Sequence, residues 1–169
     1  MHGYLTQSPG VCLAVSGPGM TNTISGMAEA LINKRPMIVI AGAPDTLTEG
    51  KGAFQEFDQL SCAKPVSKYA ARAHSIHHIP TVVERAVKMA VYGNPGPTYI
   101  ELTQDVLYGS ISKSSIEYLP KVMPLPSLEL PDATVRQIID KLKNAKQPLI
   151  IVGKGVAYSR AEEVMRSFI

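Results

Sequence analysis

Cysteine is scarce in this chain. The two present, Cys12 and Cys62, have neither CxxC spacing nor histidine partners, so they fit structural thiols in a reducing compartment. Charge is sparse as well: 18% of residues are charged, and the net of +3 is spread along the chain with no basic run. Neither nucleic acid nor a membrane surface is an expected partner on that basis. No apolar stretch approaches the ~18 residues of a transmembrane helix. The opening Met1-His2-Gly3-Tyr4-Leu5-Thr6 lacks a basic region followed by an apolar one, so it does not read as a secretory signal. What is there is a globular composition, 45% hydrophobic over 169 residues.

The most informative stretch is Val11-Cys12-Leu13-Ala14-Val15-Ser16-Gly17-Pro18-Gly19-Met20-Thr21-Asn22. Five apolar residues between Gly10 and Gly17 predict a strand covered on both faces, as in a parallel sheet. Pro18 has its φ near the helical value and suits the first helical position, with Gly17 or Ser16 as cap. Met20, Ile24, Met27 or Ala28, and Leu31 then recur at three- and four-residue steps and give the helix one apolar face. Gly19 would let another group approach the backbone. Ligands of open α/β sheets sit at this carboxyl edge. On spacing alone the junction is equally an ordinary βα turn with no ligand.

The rest of the chain alternates. Residues 1–7 read as a helix end, 11–15 as a strand, 18–33 as a helix stopped by Lys34-Arg35-Pro36, and 37–42 as a second buried strand. A long, weakly periodic loop covers 43–73. Ile79-Pro80 opens a helix with Val82, Val83, Ala86, Val87 and Ala90 at core spacing, and 97–102 is a third strand. The fold class expected is α/β, a doubly wound parallel sheet with right-handed crossovers.

Beyond Tyr108 the texture changes. Residues 109–131, with Ser110, Ser112, Ser114, Ser115, Pro120, Pro124, Pro126 and Pro131, read as an extended interdomain linker. In 132–169 the pattern restarts. Asp132 would cap a helix bearing Val135, Ile138, Ile139 and Leu142; 148–152 would be a buried strand; a last helix would carry Ala161, Val164, Met165 and Phe168. One strand without neighbours cannot offset the entropy of ordering such a segment. The expectation is therefore a fragment, with an incomplete first unit and only the beginning of a second α/β domain.

Four motifs carry a resemblance that runs over essentially all of the chain. Ser16-Gly17-Pro18-Gly19-Met20-Thr21-Asn22, Gly52-Ala53-Phe54-Gln55-Glu56-Phe57, Asn94-Pro95-Gly96-Pro97-Thr98-Tyr99-Ile100-Glu101-Leu102 and Ala145-Lys146-Gln147-Pro148-Leu149-Ile150-Ile151-Val152-Gly153-Lys154-Gly155 fall in the order seen in thiamine diphosphate-dependent enzymes of the acetolactate synthase type. Within that superfamily the chain most resembles the 2-hydroxyacyl-CoA lyases, then the oxalyl-CoA decarboxylases. The resemblance implies that 1–108 is the later part of the pyrimidine-binding domain and 132–169 the start of the central domain. Thiamine diphosphate would be the electron sink, and an active site would need two subunits, as a dimer or tetramer.

The same resemblance sets Pro18, Gly19 and Asn22 beside the aminopyrimidine ring. It makes Phe54 a wall at the reactive centre and Gln55 the catalytic hydrogen-bond donor to substrate or intermediate. Phe54 reads otherwise as a core residue under a loop, and Gln55 as a solvated one, although long loops in compact domains are usually functional. Oxalyl-CoA decarboxylases tend to carry Tyr and Glu at these two positions. Phe54-Gln55 thus favours the lyase, which cleaves 2-hydroxyacyl-CoA to formyl-CoA and a shortened aldehyde in fatty acid alpha-oxidation. The CoA thioester's nucleotide would lie near Arg72, Lys154 and Tyr158, where a cation at a helix amino end suits phosphate; the alternative is an ordinary turn with a surface lysine. His74, His77 and His78 lack Cys or carboxylates at ligand spacing and read as a surface cluster at a helix entry, not a metal site. Glu56, Asp58 and Glu101 read as solvated or locally hydrogen-bonded carboxylates.

The resemblance puts two parts of the machinery outside this sequence: the glutamate that drives ylid formation, upstream of Gly3, and the Gly-Asp-Gly to Asn-Asn motif that holds Mg2+ and diphosphate. It implies a peroxisomal or cytoplasmic enzyme, though Ser167-Phe168-Ile169 is no peroxisomal signal. The alternatives are an oxalyl-CoA decarboxylase fragment and a non-catalytic short product that pairs with full-length subunits. The purified 169-residue chain is expected to be inactive alone. A coupled assay that detects formyl-CoA from it would contradict this.

Overall fold

The computed structural model describes residues 1–116, 118–123 and 129–169. The chain divides into two compact units, Met1–Pro124 and Leu125–Ile169. In the first, α1 (His2–Thr6) leads to β1 (Gly10–Ala14), α2 (Pro18–Thr21), α3 (Ile24–Ile32) and β2 (Met37–Ala43). Then come α4 (Gln59–Ala63), β3 (Tyr69–Ala73), α5 (Ile79–Val91), β4 (Pro97–Thr103) and α6 (Gln104–Tyr108). The four strands form one parallel sheet in the order β1-β2-β4-β3.

Strand alternation divides the core into two layers, because successive side chains leave opposite faces of the sheet. Val39, Ala41 and Tyr99 pack with Met20, Met27 and Ala63, the apolar stripes of α2, α3 and α4. Ile38 and Ile100 pack on the other face with Val82, Ala86 and Ala90 of α5 and with Val106. The α/β class and the crossover helices at the expected places are thus borne out.

Four features differ from the expectations. The sheet has a fourth strand inside the segment read as a loop. Tyr69-Ala70-Ala71-Arg72-Ala73 has no β-branched residue, and it is a strand because it pairs with β4, Arg72 beside Glu101. Cys62 accordingly lies on α4 and not in a loop. Next, β1 is not covered on both faces. It is the edge strand, and Val11 and Leu13 are exposed, Leu13 at 77%. The helix over 18–33 is broken as well: the Thr23 hydroxyl and N–H both donate to the Met20 carbonyl, at 2.7 and 2.8 Å, and close α2 before α3 begins. At its far end α3 stops as expected, at Lys34 in the left-handed region (φ 55°), with Arg35 N–H donating back to Ala30.

The second unit holds α7 (Asp132–Asn144), α8 (Lys154–Tyr158) and α9 (Glu162–Phe168). Asp132 is the first residue of α7 and caps nothing; Pro131 takes the cap position. The predicted strand over 148–152 is absent among the described residues, and Leu149 and Ile151 are more than 80% exposed. An apolar run becomes a buried strand only with a neighbour to pair with, and this unit offers none. The last helix is likewise two pieces, α8 and α9. Of the expected linker, 117 and 124–128, including Pro124 and Pro126, lie outside the described residues.

The exposed face of β1 makes a checkable statement about energy. Leu13→Ser is expected to change the unfolding free energy by less than about 0.5 kcal/mol, whereas Ile100→Ala, at a fully buried position, is expected to cost about 2–5 kcal/mol, both read by urea denaturation.

Candidate functional site

At the carboxyl ends of the strands, the turn after β1 meets the loop that follows β2. Gly17 adopts φ +57°, and a Cβ there would lie 2.6 Å from the Gln55 carbonyl oxygen. Any side chain at Gly17 would displace the Phe54–Gln55 segment. The Ser16 hydroxyl donates to Gln55 Oε1 at 3.4 Å. Two stretches 39 residues apart in sequence are therefore in contact.

The loop reaches this position through its own polar contacts. The Glu56 carboxylate accepts from the N–H groups of Gly50, Gly52 and Ala53 at 2.5, 3.0 and 3.1 Å. Those bonds, led by Gly50, hold its carboxyl below the usual range. Glu56 N–H donates to the Ala53 carbonyl and closes a turn with Gln55 third, at φ +56°. A non-glycine residue in that region is uncommon. Asp58 caps α4 through the Ser61 N–H at 3.1 Å. At the loop's start, the Thr46 hydroxyl and N–H both donate to Asp105, whose carboxyl is drawn down to about 2, chiefly by Thr46.

Behind the turn lies a buried polar chain. Gln59, 2% exposed, accepts from Gly17 N–H at 2.8 Å and donates from Nε2 to the Gly42 carbonyl at 2.6 Å. The Tyr99 hydroxyl donates to Glu101 Oε2 at 3.1 Å. Burial, then the Glu101 charge, raises the Tyr99 pKa, so the phenol stays protonated. Arg72 Nε donates to Glu101 Oε1 at 2.5 Å, and its Nη1 reaches both oxygens of Glu49 at 3.0 and 3.1 Å. Burial pulls the guanidinium pKa down, but the bonds to Glu101 and Glu49 outweigh it and leave the pKa raised. Arg72 also lines a cleft of about 150 Å3 with Ala43, Pro44, Glu49, Glu56, Phe57 and Asp58.

The residues singled out from sequence are thus distributed unevenly. Pro18, Gly19, Asn22, Phe54 and Gln55 belong to the two segments that meet, with Pro18, Asn22 and Phe54 exposed, Phe54 at 83%. Phe54 is accordingly no core residue. The close approach at Gly19 is made by the chain itself: a Cβ there would lie 2.3 Å from Val15 Cγ1. Arg72 is paired with two carboxylates, one of them buried. Glu101 is fully buried and paired, which corrects its reading as solvated or merely local, whereas Glu56 and Asp58 do bond locally. Lys154 and Tyr158 are at the two ends of α8 in the second unit. His74 stacks on His78 just before α5, with ring centroids 5.8 Å apart. Gln59 was not singled out at all; one glutamine after a helix cap carries no local signal.

Comparison with known proteins adds the following. Residues 1–62 match the family described as thiamine pyrophosphate enzyme, N-terminal TPP binding domain. The chain is 41% identical over 167 residues to 2-hydroxyacyl-CoA lyase 1 of Homo sapiens, which covers 99% of this chain and 29% of that protein. It is 39% identical over 171 residues to oxalyl-CoA decarboxylase of Escherichia coli (strain K12), covering 99% and 30%. With the acetolactate synthase large subunit of Lactococcus lactis subsp. lactis (strain IL1403) it shares 32% over 169 residues, covering 95% and 28%. The chain spans about three-tenths of the length of the curated relatives it matches.

The buried carboxylate gives the measurable consequence. Arg72→Met leaves Glu101 as an unpaired buried charge and is expected to cost about 3–5 kcal/mol in chemical denaturation. Arg72→Met combined with Glu101→Met is expected to recover most of that loss.

Proposed function

We propose, since this chain belongs to the thiamine pyrophosphate enzyme family, that it supplies the pyrimidine-facing edge of a lyase that cleaves 2-hydroxyacyl-CoA to formyl-CoA and a shortened aldehyde. The observation that carries this reading is the contact of the Ser16–Asn22 turn with the Phe54–Gln55 loop. When bound, thiamine diphosphate supplies an electron sink for the carbanion left by carbon–carbon cleavage.

The residues fit such a group. Pro18 and Phe54 offer exposed apolar surface against which a flat ring can lie, and Asn22 adds an exposed carboxamide beside them. Gln55 uses Oε1 as acceptor for Ser16, so its Nε2 is the end directed to a substrate or intermediate, as a donor to developing negative charge. The left-handed backbone at Gln55 holds this donor on a turn rather than a mobile tail, which favours a fixed geometry.

Other parts of the proposal rest on the resemblance. Mg2+ and the diphosphate would be held by residues outside this sequence. Lys154 and Tyr158 remain the residues proposed for the CoA nucleotide, and the working protein would be a dimer or tetramer in the peroxisome or cytoplasm. Fatty acid alpha-oxidation would be its setting.

The test uses the intact protein that contains this segment, supplied with thiamine diphosphate and Mg2+. Thiamine-dependent formation of formyl-CoA and aldehyde from a long-chain 2-hydroxyacyl-CoA is expected, and Gln55→Ala is expected to lower kcat by about 10²-fold. Preferential turnover of oxalyl-CoA would assign the segment to a decarboxylase instead, the reading that the 39% identical relative favours. No turnover of either, together with retained binding to a full-length lyase subunit, would leave the non-catalytic pairing role.

A further inference from the structure

The buried carboxamide of Gln59 ties the Gly17 turn to the end of β2 from behind the site. It is on the first turn of α4, four residues after Gln55, and directly follows the cap Asp58. Its Oε1 takes the N–H of Gly17, the residue at which β1 gives way to the turn carrying Pro18, Gly19 and Asn22. Its Nε2 gives one hydrogen to the Gly42 carbonyl near the end of β2. A donor at Gly17 and an acceptor at Gly42 suit one orientation of the amide.

We infer that Gln59 is a positioning residue. Its carboxamide sets the spacing between the Gly17 turn and the end of β2, and the rigid first turn of α4 carries that spacing to Phe54 and Gln55. The inference rests on the reading of those two segments as the cofactor-facing edge, but its structural half stands without any ligand. It predicts a local effect. Burying an amide among unlike partners costs the partners' hydrogen bonds when the amide is removed, so the loosening should be concentrated at the turn and the loop rather than shared by the sheet.

Residue-resolved amide hydrogen exchange of the intact protein that contains this segment separates these cases. Gln59→Met keeps the length and removes both hydrogen-bonding functions. It is expected to speed exchange at Gly17 and at Gln55–Glu56 at least tenfold relative to Ile100 in the sheet core. Gln59→Glu retains an acceptor in either protonation state, so Gly17 is expected to stay within threefold of the wild-type rate. Unchanged exchange at Gly17 in the Met variant, or a rise that Ile100 shares equally, overturns the inference. Should the Met variant fail to fold, the Glu variant decides: fast exchange at Gly17 there overturns it as well. In the intact protein, Gln59→Met is expected to raise the Kd for thiamine diphosphate at least tenfold. A loosened turn with unchanged Kd would leave Gln59 as a positioning residue and overturn the cofactor reading of the edge.

Discussion

Polar groups that have lost water must satisfy one another, and that constraint shapes the carboxyl edge of this sheet. Among the described residues, no buried side-chain nitrogen or oxygen is left without a partner. Gln59 meets it between the Gly17 N–H and the Gly42 carbonyl, and Glu101 meets it by accepting from both Tyr99 and Arg72. Arg72 also pairs with Glu49, on the solvent side, so the buried carboxylate is connected to the surface through one guanidinium. Once the interior is arranged in this way, the exposed residues of the edge have little freedom left. The turn at Gly17 and the loop at Gln55 are held from behind by groups that never face a ligand.

Register does the corresponding work between strands. Parallel pairing of β3 with β4 sets Arg72 beside Glu101, and no other alignment would bring the buried carboxylate its cation. A shift of one residue would send Arg72 to the opposite face of the sheet. The ion pair therefore contributes to specifying the alignment of a strand whose three alanines give it little side chain to pack.

Much of this was legible in the sequence. The strand segments at 11–15, 37–42 and 97–102 and the helical spacing of Val82, Ala86 and Ala90 announce their elements through composition and period. The turn-forming glycines and Pro18 likewise mark the junction after β1. What could not be read depends on partners distant in the chain. Tyr69–Ala73 is a strand by virtue of β4, and the pairing of Arg72 with Glu101 and Glu49 joins residues far apart in the chain. Gln59 looked like any polar residue on a short helix. In the opposite sense, Leu149–Val152 has the composition of a core strand and, among the described residues, no neighbour to make it one, which shows how much of a strand lies outside its own residues.

Edge position has one more consequence for β1. It offers one unsatisfied ladder of backbone groups, and on the adjoining face a row of bare aliphatic side chains, Val11, Leu13 and Val15, with no lysine, proline or bulge to blunt it. Natural sheets seldom leave such a seam uncovered, because it zips to the next one it meets. Expressed by itself, this stretch is prone to stacking with its own copies into insoluble material, and a lysine in place of Leu13 is the least disruptive way to keep it dispersed.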